Sequence, residues 1–386
     1  MRQLTTSSLL RQLNRSTVIR LIRKQGVVSP SNLALQLGIS IPTAMRVVSD
    51  LIAEDLVVYD GHDEAVRGRP PARVKFKGAA HAIVGVEAMR GKLYGAVADL
   101  NGHVQQELQV EADDDGPGNV ERLVGLVRDL IAAPRPPGQT IRGIGVGVPS
   151  IVRQPAGEVV LTMGLGWRDL PLRDILAAQF DIPVYVENGR NLAAVGEWGF
   201  GAGQGAGTVV SLSIGPGAGA GMVIEGKLRR GRGHAAGELA WYLDDPVLSG
   251  RSFARLGDKQ SLRFGGGIPD AVFAALERAE RDYLAGTLTL EQLEQAREGD
   301  LATLLELLDY TTMAVASVTA FINPDVVVLA GKIAVGAELV IAALKQRLAG
   351  NVFDAPNLVV SPLGHRDIVM GATMLVLDST ILNPVA

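Results

Sequence analysis

The sequence predicts a mixed α/β protein in which a small N-terminal module of helices precedes a larger, duplicated α/β body. Three observations lead to this fold class. Residues 1–77 contain three stretches with helical apolar spacing, followed by two short apolar strands. From about Ala82 onward, strands and helices follow one another in two successive series. The chain also has 46 glycines against 3 Trp, 6 Tyr and 8 Phe, which favours tight turns and close backbone approaches.

The N-terminal module is predicted to contain three helices and a hairpin. Helices are expected over 16–25, 29–38 and about 42–54, with Gly26 and Gly38 ending the first two. Strands are expected over 56–59 and 73–76, with a polar loop between them. Helix, helix, turn, helix and hairpin in about 60 residues is the winged helix-turn-helix arrangement, whose third helix enters the major groove of DNA.

The body is predicted to repeat one pattern, a β-meander followed by alternating helices and strands. The first series comprises strands at Ile83–Glu87, Lys92–Asp99, Gly102–Val110, Ile141–Val148 and Val184–Glu187, with helices at Asn119–Ala132, Leu170–Phe180 and Asn191–Gly199. The second comprises strands at Thr208–Ile214, Gly219–Ile224, Val326–Leu329 and Leu358–Val360, with helices in 268–322, in 335–349 and at the C-terminus. Two such series indicate a duplicated fold with a cleft between its halves.

Composition excludes several classes of site. The absence of cysteine excludes disulfides, thiolate zinc sites, iron–sulfur clusters and a cysteine nucleophile. The N-terminus lacks the apolar core of a signal peptide, and apolar stretches such as Met313–Ile322 fall short of the roughly 18 residues that span a membrane. We therefore expect a cytoplasmic protein with no membrane partner.

The net charge of −4 conceals an asymmetry. Residues 1–77 hold twelve Lys or Arg against six acidic residues, so the remainder of the chain is strongly acidic. A basic module on an acidic body indicates a polyanion-binding segment, although solvated surface charge alone produces the same balance.

The pattern favours double-stranded DNA as the polyanion. The residues expected to contact it lie at the third helix and in the loop of the hairpin: Ser40, Thr43, Arg46, Ser49, Arg67, Arg69 and Pro70. The two loop arginines, held extended by proline, suit a narrow minor groove. Two alternatives stay open: a helical dimerisation domain for the module, and a plain interdomain linker for the Arg-Gly-Arg-Pro-Pro segment.

An ordered set of motifs runs from the N-terminal module through the body. It consists of Gly68-Arg69-Pro70, Gly145–Pro149, Gly166–Pro171, Val186–Ala194, Ser213–Gly221, Ala236-Gly237-Glu238 and Asn323-Pro324-Asp325 leading to Gly331. This set resembles the ROK family of repressors, open reading frames and sugar kinases. The resemblance implies a sugar-kinase and actin-like (ribonuclease H-like) body. It also implies that members with a winged helix are transcriptional regulators, usually repressors of sugar-utilisation genes that a sugar releases.

The chain differs from the family at the positions where the kinases have their general base and their first phosphate turn. The resemblance places the general base after Asn188, where this sequence has Gly189 and therefore no side chain to accept a proton. Met89 and Arg90 occupy the first phosphate turn, where bulk obstructs a close approach. We therefore predict no catalytic residue and no enzyme activity; a sugar kinase with an accessory DNA-binding module is the alternative.

The family's sugar-binding pattern is partly retained. The resemblance implies that Asn188 and Glu238 bind a sugar, and Trp241 replaces a family histidine that binds sugar and zinc. The cysteine-rich zinc loop is missing, so neither a metal nor another cofactor is predicted. Asn188 and Glu238 are alternatively structural remnants, and Trp241 alternatively closes the pocket. Gly215, Gly217 and Gly219 match a phosphate loop that is vestigial here, or a plain turn between strands.

The combined prediction is a DNA-binding transcriptional regulator, most simply a repressor, with an inactive body that senses a sugar or sugar derivative. The predicted domains are 1–77, 78–190 and 191–366, with helix 367–386 returning to the first half of the body. A two-fold arrangement of DNA-binding modules predicts a homodimer or homotetramer. A regulator that has no ligand and uses its body only as an oligomerisation scaffold is a further alternative.

Overall fold

The structure is a computed structural model that describes residues 6–62, 72–114, 116–162, 164–215, 217–239 and 268–382. By contacts, the chain forms two compact units. Unit 1 comprises residues 1–146, 172–185 and 372–386, and unit 2 comprises 147–171 and 186–371. These units cut the chain at positions other than the predicted domain limits, and the limits at 77, 190 and 366 stay predictions.

Within unit 1, the N-terminal module has the three predicted helices and the predicted hairpin, with one strand, β1, that was not predicted between the first two helices. Its bounds are α1 Thr6–Gln25, β1 Val27–Val28, α2 Pro30–Leu37, α3 Ile41–Ala53, β2 Val57–His62 and β3 Ala72–Phe76. Gly38 adopts the left-handed φ of 63° that ends α2, and Ser40 then caps α3, which makes the turn between these helices short. The three strands form one sheet in the order β1-β3-β2, the wing of a winged helix-turn-helix.

Helix α1 begins ten residues earlier than its apolar spacing predicts. The added turns are held by long-range ion pairs rather than by a regular apolar stripe. Arg11 contacts Asp50 at 2.8 Å, Arg15 contacts Glu54 at 2.5 Å, and Arg15 also donates to the carbonyl of Ile381. Because these partners lie far away in sequence, local periodicity gives no sign of them.

The remainder of unit 1 is built on a five-stranded sheet. The bounds are β4 His81–Met89, β5 Lys92–Asp99, β6 Val104–Glu111, α4 Asn119–Ala132, β7 Thr140–Val148, α5 Leu172–Ala177 and β11 Val184–Asn188. The strand order is β11-β7-β4-β5-β6, and α4 packs on β5 and β6. Two hydrogen bonds join the module directly to this sheet. Arg142 Nη2 donates to the backbone carbonyl of Glu54 (3.1 Å), and His81 Nε2 lies 3.0 Å from the backbone carbonyl oxygen of Asp55.

Unit 2 is built on a second five-stranded sheet. The bounds are β8 Val152–Arg153, β9 Glu158–Leu161, β10 Arg168–Leu170, α6 Gly189–Phe200, β12 Thr208–Ile214, β13 Ala218–Ile224, β14 Lys227–Leu228, α7 Asp270–Leu284, α8 Leu290–Glu294, α9 Gly299–Ile322, β15 Val326–Ala330, α10 Ala337–Leu348, β16 Asn357–Val360 and α11 Asp367–Leu377. Helix α11 continues into unit 1. The strand order is β14-β13-β12-β15-β16, and α6 packs on β12 and β13.

Two features of unit 2 differ from the sequence predictions. No strand was predicted between β7 and α5, but this stretch contains the small sheet β10-β9-β8, whose strands are too short to show alternation. Among the described helices, α9 is long and apolar enough to pass a length-and-composition test for a membrane span. Leu304, Leu307, Leu308 and Val315 of α9 are buried in the hydrophobic core.

Candidate functional site

Helix α3 presents one polar face to solvent. Arg46 and Ser49 are exposed on it, whereas Ala44, Val47 and Leu51 are buried against the module core. This division follows from the 3.6-residue period, which places positions three and four apart on one face. Arg46 makes no hydrogen bond or ion pair with the residues that the structure describes, so its guanidinium is available to a partner.

Ser40 and Thr43 have a local structural role at the start of α3. The Ser40 hydroxyl accepts a hydrogen bond from the Thr43 amide at 3.3 Å, and the two hydroxyls lie 2.8 Å apart. Ser40 therefore caps the helix that presents Arg46. Met45, beside Arg46, is also exposed on this helix, at 58%.

The predicted contacts in the hairpin loop, Arg67, Arg69 and Pro70, lie outside the described residues, as does Trp241. The strands that carry the loop are described. β2 pairs with β3 from Val57↔Phe76 to His62↔Ala72.

In unit 2, the structure brings Asn188 and Glu238 together across 50 residues of sequence. The Asn188 amide Nδ2 donates to Glu238 Oε1 at 3.2 Å, and its Oδ1 accepts from the Arg190 backbone amide at 2.8 Å. Gly237 holds Glu238 in place: its φ is +85°, a Cβ there would overlap the Ala220 carbonyl, and its own carbonyl accepts from Ala220 at 2.8 Å. The amide and carboxylate thus form one polar pair at the start of α6.

A buried carboxylate, Glu187, lies beneath this pair. Its side chain is 2% exposed, and its Oε1 accepts hydrogen bonds from the backbone N–H of Asn188 (2.9 Å) and from Asn191 Nδ2 (2.9 Å). Arg230 Nε completes the set at 2.6 Å from Glu187 Oε2. A buried charge requires such compensation, and the network fixes the backbone that carries Asn188. Glu187, Asn191 and Arg230 are not among the residues predicted from the sequence, because their contacts join positions up to 43 residues apart.

Gly189 stands where the family's kinases have their general base, and it is the first residue of α6. A Cβ there would lie 3.1 Å from Ile368 Cδ1 and 3.6 Å from the Val148 carbonyl oxygen. A Cβ at this position therefore requires only a small shift of the Ile368 side chain. Gly189 itself has no side chain that could act as a base.

The glycine run connects β12 to β13 as a hairpin. The strands pair from Thr208↔Ile224 to Ile214↔Ala218, and the Gly215 amide donates to the Gly217 carbonyl at 3.0 Å. The Arg190 side chain lies along this hairpin. A Cβ on Gly217 would be 2.9 Å from Arg190 Nη2, and one on Gly219 would overlap Arg190 Cδ and Nε. The glycines thus accommodate a side chain of the protein itself.

Met89 and Arg90, which stand where the family's kinases have their first phosphate turn, belong to a tight hairpin in unit 1. Met89 pairs with Lys92, and Gly91 takes a φ of +74° between β4 and β5. Arg90 extends outward to Asp114, at 2.7 Å. The described part of the chain contains no group of three or more His, Asp or Glu able to hold a metal ion.

The sequence profile of the ROK family matches residues 83–379. The chain belongs to the ROK family. A xylose repressor of Caldicellulosiruptor bescii is 26% identical to it over 98% of both chains. A ROK family transcriptional regulator, a homologue of the E. coli MLC protein, has a similar structure, with a TM-score of 0.74, 22% identity and coverage of 97% of this chain and 98% of its own. A ROK glucokinase from Streptomyces griseus, solved with glucose and AMPPNP, has a TM-score of 0.57 and 22% identity over 76% of this chain and 98% of its own.

These comparisons confirm the predicted family and fold class. The ROK regulator matches nearly the whole chain, including the winged helix-turn-helix, and the glucokinase matches about three quarters of it with a sugar-kinase body. Because the family includes both regulators and kinases, family membership leaves the choice between them to the residues of the site.

Proposed function

We propose that this ROK protein is a sugar-responsive DNA-binding transcriptional repressor that does not phosphorylate sugars. The observation that carries the proposal is the exposed face of α3, a capped helix in a winged helix-turn-helix that presents Arg46 and Ser49 outward. Such a helix suits the major groove, where arginine recognises guanine with two hydrogen bonds. The xylose repressors among the relatives support the same function.

The pair of Asn188 and Glu238 supports a sugar or sugar derivative as the effector. An amide and a carboxylate 3.2 Å apart offer donors and acceptors in the pattern that vicinal hydroxyls require. The relatives that are xylose repressors make xylose the first sugar to test. Trp241 adds an apolar face in this proposal, as its place in the family pattern suggests.

Two features favour a regulator over a kinase. Gly189 provides no proton acceptor beside Asn188, and Arg190 occupies the groove of the glycine hairpin, where the family's kinases bring their backbone close to phosphate. A repressor needs neither a proton acceptor nor a phosphate-binding hairpin. The protein is proposed to act in the cytoplasm without cofactor or metal, as a homodimer or homotetramer on inverted operator half-sites.

The test begins with selection of binding sequences from random DNA duplexes by the full chain. Fluorescence anisotropy then measures affinity for the selected duplex with and without xylose, glucose and related sugars. We expect half-sites in inverted repetition and a loss of affinity when the effector is added. Arg46→Ala should weaken binding to the selected sequence, whereas Arg128→Ala, at an exposed arginine on α4, should not.

Three results would contradict the proposal. Selection of no sequence would remove the DNA-binding function. DNA binding that no sugar changes would favour the scaffold alternative. Sugar-dependent ATP consumption above background would make the protein a kinase with an accessory module.

A further inference from the structure

The inference concerns Ile41 and Met45, two exposed apolar residues of α3 that together form what we call the apolar edge. It deepens the proposed function, because it rests on the placement of α3 in the major groove of DNA. We propose that the apolar edge contacts the 5-methyl groups of thymine in the operator. Sequence is then recognised through methyl groups as well as through the hydrogen bonds of Arg46.

The first support is the exposure of these two side chains. Ile41 is 51% exposed and Met45 is 58% exposed. They are four residues apart on one helix, so they lie side by side on its surface. One exposed apolar residue is ordinary, but two neighbours form a continuous apolar surface whose contact with water is unfavourable. A partner that covers the apolar edge therefore gains free energy from its burial.

The second support is the position of the apolar edge on the helix. The inward side of α3 is marked by four buried residues, Ala44, Val47, Val48 and Leu51. At about 100° of rotation per residue, Ser49 lies nearly opposite them, with Arg46 on one side of it and Met45 on the other. Ile41 is the first residue of α3, and the N-terminal part of such a helix contacts base edges. A groove that holds Arg46 therefore also holds the apolar edge.

The third support is charge complementarity with a polyanion. Residues 1–77 hold twelve Lys or Arg against six acidic residues. The one acidic residue within α3, Asp50, is paired with Arg11 at 2.8 Å, and Glu54 at the end of the helix is paired with Arg15. Both carboxylates near this face are thus compensated by arginines of α1. The surroundings of the apolar edge therefore favour DNA over an apolar protein surface.

Thymine is the base whose exposed edge suits an apolar side chain. In the major groove it presents a methyl group, whereas adenine, guanine and cytosine are read there by their hydrogen-bonding groups. The methionine side chain is unbranched and flexible, so it adapts to the exact position of a methyl group. Met45 and Ile41 are one helical turn apart, which allows them to contact different base pairs.

The experiment replaces single thymines of the selected duplex by deoxyuridine, which removes the methyl group and keeps the base pairing. Fluorescence anisotropy with the full chain measures the affinity for each duplex. We expect at least one thymine in each half-site whose replacement weakens wild-type binding about 4-fold, the loss expected for one buried methyl group. Deoxyuridine outside the half-sites should leave the affinity unchanged.

Variants assign the methyl contact to the apolar edge. At the position that the altered side chain contacts, Met45→Ala or Ile41→Ala should bind the thymine and deoxyuridine duplexes with equal affinity. Met45→Leu keeps an apolar side chain and should retain part of the difference. Leu35→Ala is the matched control, since Leu35 is 82% exposed on α2 of the same module, and it should leave the difference unchanged.

The outcomes separate this inference from the proposed function. If no deoxyuridine substitution in the half-sites weakens wild-type binding, the inference is overturned and sequence-selective DNA binding stands. A difference that survives in both Met45→Ala and Ile41→Ala also overturns it, because another part of the protein then contacts the methyl group. A changed oligomeric state of these variants in analytical ultracentrifugation, with methyl discrimination intact, would assign the edge to contact between copies of the chain. Failure to select any DNA sequence refutes the proposed function and the inference together.

Discussion

Removal of Arg230 should destabilise unit 2, because it leaves the carboxylate of Glu187 buried without its cation. The two side chains meet at 2.6 Å, with Glu187 2% exposed and Arg230 29% exposed. With charge centres about 4 Å apart and an effective dielectric constant of about 20, their attraction is about 4 kcal/mol. Part of this lost attraction is recovered, because Asn188 and Asn191 still donate hydrogen bonds to Glu187. Water that enters the space left by Arg230 solvates the carboxylate as well. We therefore expect Arg230→Ala to lower the free energy of unfolding by about 2–3 kcal/mol.

The assay is urea unfolding followed by tryptophan fluorescence, since the three tryptophans, at 167, 198 and 241, all fall within the ranges of unit 2. Arg229→Ala is the matched control, since Arg229 is exposed and adjacent in sequence; its effect should stay within about 0.5 kcal/mol. Glu187→Gln combined with Arg230→Ala should be more stable than Arg230→Ala alone, because no uncompensated charge is left. An Arg230→Ala protein as stable as Arg229→Ala would refute the compensation argument.

Four further predictions follow from other parts of the chain. Arg46→Ala should weaken binding to the selected operator by about 1–3 kcal/mol, or roughly 5- to 150-fold, with the loss confined to one base position in a competition assay over single-base variants. Asn188→Ala should remove sugar binding in calorimetry and cost about 1 kcal/mol of stability through loss of the α6 cap, while ligand-free DNA binding persists. Gly189→Asp should still show no sugar-dependent ATP consumption in a coupled assay, because the Arg190 side chain remains against the glycine hairpin. Burial, with a smaller contribution from the charge of Glu197, raises the pKa of Asp367 to about 7, above its ordinary 3.8. The folded state therefore holds this proton more tightly, so stability should fall by a few kcal/mol as pH rises from about 4 to about 7, and Asp367→Asn should flatten that dependence in unfolding titrations.

The elements of the fold could be predicted because helix and strand patterns are local. Helix Asn119–Ala132 and strands Lys92–Asp99 and Thr208–Ile214 have the bounds that apolar spacing predicts. Gly38 and Ser40 mark the turn before α3 through their backbone preferences, which need no distant partner. The ordered motifs identified the family for the same reason, since each motif is contiguous in the chain.

The sequence by itself therefore determined the kinds of element, their order, the family and the absence of a side chain at Gly189. The tertiary structure decided which distant residues meet. Arg230 reaches Glu187 across 43 positions, and Arg15 holds the start of α1 through Glu54, 39 positions away. The Arg190 side chain came to lie along the glycine hairpin only when β12 and β13 packed on α6. Periodicity reports which face of an element is apolar, but a charged side chain finds its partner only after the elements have packed, because ion pairs act through space and over a few ångströms.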